Sequence, residues 1–118
     1  MQIHISPRDI RLTSAIRDYI TQRIENLENL EPRMIGAHIA FCHAERRGLH
    51  HRFLVKAHLA LPGPDLHAEA RGRDLYALID AVADKLSMEL RRRKGRFLSR
   101  RREDIRRLKQ QRRRGAEG

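Results

Sequence analysis

The stretch Leu66-His67-Ala68-Glu69-Ala70-Arg71-Gly72-Arg73-Asp74-Leu75-Tyr76-Ala77-Leu78-Ile79-Asp80 contains a change of period. Up to Gly72 the apolar residues Leu66, Ala68 and Ala70 alternate with polar ones, the period of a short strand. Asp74 is then placed to cap a helix, in which Leu75, Ile79, Val82, Leu86 and Leu90 fall along one stripe. A strand therefore ends and an amphipathic helix begins within three residues.

The pattern upstream extends the sheet. Phe53, Val55, Ala57, Leu59 and Leu61 alternate, and Pro62-Gly63-Pro64-Asp65 is a strong turn signal before the next strand. Further back, Ile35, Ala37, Ile39 and Phe41 share one face, with Gly36, His38, Ala40 and Cys42 on the other, and Arg46-Arg47-Gly48-Leu49 reads as a turn. At the N-terminus Ile3 and Ile5 alternate with polar residues until Pro7. Thr13 or Ser14 can then cap a helix carrying Leu12, Ile16, Ile20, Ile24 and Leu27, which Pro32 closes off. The order is β-α-β-β-β-α. Clean alternation in the strands predicts an α+β fold, a four-stranded, mostly antiparallel sheet with two helices on one face and the other face wet.

Charge separates the chain into two parts. The protein has 118 residues, 35% of them charged, and a net charge of +11. Fifteen basic residues lie between Lys85 and Arg114 against three acidic ones, a local charge of +12 that leaves the remainder at −1. A polyanionic partner follows from this, nucleic acid or an anionic membrane. With no Trp and few aromatics, the chain is poorly equipped to stack on many unpaired bases, so charge is expected to do most of the binding. At about 100° per residue, Lys85, Arg92 and Arg96 share one flank of the second helix, Arg91 and Lys94 lie on the other side, and Arg93 falls on the apolar meridian. A lone arginine there is costly to bury, so the helix is expected to have passed the sheet by that point. Phe97, Leu98, Ile105 and Leu108 form only a weak seam. The tail is expected to protrude as a basic helix that frays and orders on its target.

Arg17-Asp18-Tyr19-Ile20, with Glu69 to Asp80 and Asp84-Lys85-Leu86, resembles the ribosome hibernation-promoting factor family, also called ribosome-associated inhibitor or sigma-54 modulation protein. The strongest match is glycine, a polar residue, aspartate, an apolar residue and tyrosine (Gly72 to Tyr76), followed by Ile79-Asp80 and Asp84-Lys85-Leu86. The resemblance covers about residues 1–97 and is to the family's short form. It implies a domain over 1–97 that binds small-subunit ribosomal RNA in the decoding region, blocks the messenger and transfer RNA sites, and silences translation in stress or stationary phase. Residues 98–118 form a basic C-terminal extension, helical or disordered, to which the family assigns no role. Lys85 matches the family's lysine directly. Arg91, Arg92, Lys94, Arg96, Arg100 and Arg101 complete the expected RNA-binding set. The partners implied are the small ribosomal subunit and its rRNA, with any pairing of ribosomes left to a separate dimerising protein.

Other features are read more plainly. The seven histidines include His50-His51 at a turn and His38, His58 and His67 on the expected wet face, where they can contact RNA or, as the plainer reading, stand simply as exposed polar strand residues. No Cys/His spacing has zinc character, so neither metal nor cofactor is expected. Tyr76 can stack on a base or pack on the sheet. Asp80 and Asp84, one turn apart, read as surface charges or as partners for Arg and Lys one turn away. No nucleophile–base arrangement stands out, so no catalysis and no small-molecule substrate are expected. The N-terminus shows no signal-peptide pattern and the chain no spanning stretch, and with the single Cys42 this points to a cytoplasmic protein without a membrane partner. The competing function is a general double-stranded RNA-binding or RNA-chaperone module.

Overall fold

The computed structural model describes residues 1–44 and 52–117, with the side chains of 97–101 and 111–117 outside the description. The chain runs β1 (Gln2–Pro7), α1 (Ser14–Glu28), β2 (Gly36–His43), β3 (Phe53–Ala60), β4 (Leu66–Gly72) and α2 (Leu75–Glu117). The element order and the α+β class agree with the reading of the sequence. The turn at 46–49 and the His50-His51 pair lie outside the described residues.

Local chemistry sets the boundaries. Thr13 Oγ1 accepts the Ile16 N–H at 3.2 Å and caps α1. Asp74 Oδ1 accepts the Tyr76 N–H at 3.0 Å, and its backbone carbonyl accepts from Leu78 at the same distance, starting α2. Gly63 turns the β3–β4 connection with φ +87°, a conformation other residues rarely adopt. Asp65 Oδ1 closes that turn by accepting the Leu61 N–H at 3.1 Å. Gly72 allows a close approach, since a Cβ there would meet Leu78 Cδ2 at 3.1 Å.

The strands lie in the order β1-β2-β3-β4. β2, β3 and β4 form an antiparallel meander, while β1 pairs with β2 in parallel. That parallel pair requires a crossover, and α1 is the crossover. Ile39, Phe41, Val55 and Leu59 on the covered face are fully buried against Ile20 and Ile24 of α1 and Ile79 and Val82 of α2. Ile35, read from the sequence with the inward set, instead precedes β2 and is 62% exposed, because the pairing with β1 begins only at Gly36. Leu54, on the open face, is nevertheless buried.

Length explains what α2 does next. From Leu75 to Leu90 it rises about 24 Å, close to the roughly 26 Å of an eight-residue strand. Leu90 is the last buried residue among those described, and Arg93 is half-buried. The helix nonetheless continues unbroken to Glu117, stretching the molecule to 74 × 29 × 18 Å. Ile105 and Leu108 in the overhang are 48% and 59% exposed. Phe41→Ala should therefore cost about 3–5 kcal/mol in urea denaturation, whereas Ile105→Ala should stay within about 0.5 kcal/mol.

Candidate RNA interface

The cationic flanks of α2 face different neighbours. Lys85 lies beside the edge strand β4, where its Nζ donates to the Glu69 carbonyl at 2.7 Å. From there it borders a groove of about 630 Å³ on the open sheet face, together with Arg8, Lys56, His58 and His67. Arg92, on the same flank, is held along the helix by Glu89 Oε1 at 3.0 Å, and Arg96 is exposed. Arg91 borders a second groove, between α1 and α2, with Arg23, Leu30 and Met88. Lys94 is exposed and within electrostatic range of the segment after α1. There the Arg33 guanidinium, hydrogen-bonded to Glu31, holds that carboxyl below the usual carboxylate range, and Lys94 adds a smaller attraction. The side chains of Arg100 and Arg101 lie outside the described residues. The predicted set thus divides between two surfaces on either side of α2.

Arg8 and Lys56 join Lys85 only through the sheet register, which the sequence did not reveal. Lys56 faces Ala40 on β2 and Glu69 on β4, and Arg8 enters where its N–H donates to the Phe41 carbonyl at 2.9 Å. Alternation put Lys56 on the wet face, but nothing in the spacing of residues 8, 56 and 85 brings them together.

The helix–helix seam accounts for the tyrosines and aspartates. Tyr19 Oη donates to Asp80 Oδ1, and the Tyr19 and Tyr76 rings meet edge to face with centroids 5.2 Å apart. Tyr76 is thus packed against α1 while remaining 42% exposed. Arg23 of α1 donates to Asp84 at 2.8 Å, and its Nε lies 3.5 Å from Asp80 without a hydrogen bond. The partner of the aspartate pair therefore comes from the neighbouring helix, not from one turn away on α2. Two helices packed side by side bring Arg23 closer than any cation on the aspartates' own face.

The Asp80 hydrogen bond, reinforced by burial and by the Asp80 charge against the opposing pull of Arg23, raises the Tyr19 hydroxyl above the ordinary tyrosine range. Because the folded value is raised, this contact stabilises the fold below about pH 10 and is lost as pH rises through the folded value. Ultraviolet titration should find Tyr19 ionising above the ordinary tyrosine range, and Asp80→Asn should bring it back toward that range.

With this geometry in hand, the chain belongs to the family described as sigma 54 modulation protein / S30EA ribosomal protein, which it matches over residues 3–97. A Klebsiella oxytoca protein named ribosome hibernation promoting factor is 31% identical over 94 residues, 80% of this chain and 94% of that protein. A Deinococcus radiodurans protein named ribosome hibernation promotion factor is 30% identical over 104 residues, and this chain spans only 54% of its length. The crystal structure of the Thermus thermophilus Protein Y N-terminal domain superposes with a TM-score of 0.67 at 27% identity, covering 78% of this chain and 98% of that one. A ribosomal subunit interface protein from Coxiella burnetii shares the fold, with a TM-score of 0.70 at 23% identity over 80% of this chain and 99% of that one. The family match ends at residue 97, so the arginine-rich overhang of α2 lies beyond it.

Proposed function

We propose that this protein is a ribosome hibernation factor, a non-catalytic cytoplasmic binder that silences translation by occupying the small subunit. The observation that carries the proposal is the family match over residues 3–97 combined with the net positive charge of α2 from Lys85 onward. In this reading the 1–97 domain lies in the decoding region, and its bulk excludes messenger and transfer RNA. Lys85, Arg91, Arg92, Lys94 and Arg96 contact rRNA phosphates, which position the domain without reading sequence. Arg100 and Arg101 begin a second arm, residues 98–118, that follows the rRNA away from the domain. Each phosphate neutralised releases counterions, so affinity falls steeply with salt. The names of the relatives support hibernation as the outcome.

A double-stranded RNA-binding module is disfavoured by β1. In this chain the first strand belongs to the same sheet through its parallel pairing with β2, beyond the three antiparallel strands such modules share.

Co-sedimentation with small subunits at physiological salt, with and without messenger and initiator transfer RNA, tests the reading. Saturable binding that those ligands displace supports it, and equal binding to any duplex RNA overturns it. Replacing Arg92 and Lys94 together by Glu should weaken binding by about tenfold or more and leave the melting temperature nearly unchanged, both residues being exposed. Ending the chain after Ser99 should lower both the affinity and the dependence of log K on log salt, read from binding isotherms at several salt concentrations.

A further inference from the structure

The open face of the sheet carries a feature that the cations of α2 do not explain. Four histidines, one from each strand, stand at the same level: His4 is paired in register with His38, His38 with His58, and His58 with His67. With strands about 4.8 Å apart, the row crosses the sheet over about 14 Å. The His58 and His67 rings lie face to face with a tilt, centroids 4.3 Å apart and planes at 33°. His38 Nε2 is 2.7 Å from Ser6 Oγ, and His58 Nε2 is 2.7 Å from Asp65 Oδ2. The His38–His58 pair forms a ridge with a depression on either side, one toward Lys56 and Lys85, the other toward Gln2 and Gly36.

The charges facing the row are mostly positive. Arg8 follows β1, Lys56 comes from β3, Arg71 from β4, and Lys85 reaches in from α2. Against them stand Glu69 on β4 and Asp65 in the β3–β4 turn, the latter already engaged by His58. Among the described residues no three His, Cys, Asp or Glu converge on a metal position. A linear array of imidazoles in a cationic setting suits an extended polyanion better than a single ion.

We infer that the four-histidine row is a second RNA-contacting surface that takes up protons on binding, so that RNA is held more tightly as pH falls through neutrality. The inference rests on the reading above that the partner is RNA. Imidazole titrates in the neutral range, and in its charged form both ring nitrogens donate. Four positive charges one strand apart repel each other, and a phosphate backbone laid along them supplies the missing countercharge. Binding and protonation are therefore linked, each proton taken up being worth about tenfold in affinity per pH unit.

The test uses the full chain at constant ionic strength near pH 6 and pH 8. One readout is anisotropy of a labelled single-stranded RNA, the other co-sedimentation with small subunits. The wild type should bind both at least about tenfold more tightly at the lower pH. Changing His38, His58 and His67 together to Gln should remove most of that response, read as the ratio of the affinities at the two pH values. Changing the same three to Lys should give tight binding at both, a gain that misfolding does not produce. His43 and the amino terminus remain in both variants as internal controls. A Gln variant that keeps the wild-type pH response, or ribosome binding by the wild type that ignores pH, overturns the inference and leaves the hibernation reading standing. No binding to ribosomes, with a histidine-dependent pH response retained on the RNA oligomer, supports the inference and overturns that reading instead.

Discussion

The apolar stripe of α2, from Leu78 to Leu90, packs on the sheet, and the organisation of the molecule depends on that contact. It buries Ile79, Val82 and Leu86 completely or nearly so, and it places α1 on one side of α2 and the edge strand β4 on the other. Strands of six to eight residues can cover only about four and a half turns of helix. Every further turn of α2 must project into solvent, and the sequence there is basic. Burial and protrusion are consequences of one mismatch in length.

The same packing divides the positive charge. A helix lying on a sheet has two free flanks, and each borders a different surface. The Lys85 flank opens onto the uncovered sheet face across β4, whereas the Arg91 flank overlooks the groove beside α1. Between the helices, Arg23 pairs with Asp84 and lies beside Asp80, which accepts from Tyr19, so these two aspartates face α1, whereas Glu89 stays on the Lys85 flank against Arg92. A partner approaching from the β4 side therefore meets Lys85 and Arg92 with Glu69 and Glu89 as the neighbouring carboxylates.

The open sheet face supplies the other half of the charge pattern. Its position opposite the helices leaves it wet, and register brings its histidines into line. An RNA contacting α2 at Lys85 would already be at the border of this face, because that lysine touches both. Family membership and the proposed hibernation role rest on the 3–97 domain as a whole. The basic overhang of α2 follows beyond that match.

Much of the fold was legible from residue periods alone. Alternation at Ala37, Ile39 and Phe41 and at Val55, Ala57 and Leu59 marked the covered face, since a strand's side chains point to opposite sides by turns. Thr13 and Asp74 marked the helix starts, because a capping side chain acts on backbone only two or three residues away. The basic run of α2 was equally plain, charge being a property of composition. What sequence could not decide was everything that depends on one strand's register against another. The parallel pairing of β1, the partnership of Arg23 with Asp80 and Asp84, the meeting of Arg8, Lys56 and Lys85, and the alignment of His4, His38, His58 and His67 all join residues far apart in the chain. Local propensity acts over one turn or one pleat, and only the packed sheet and helices bring such residues within reach of one another.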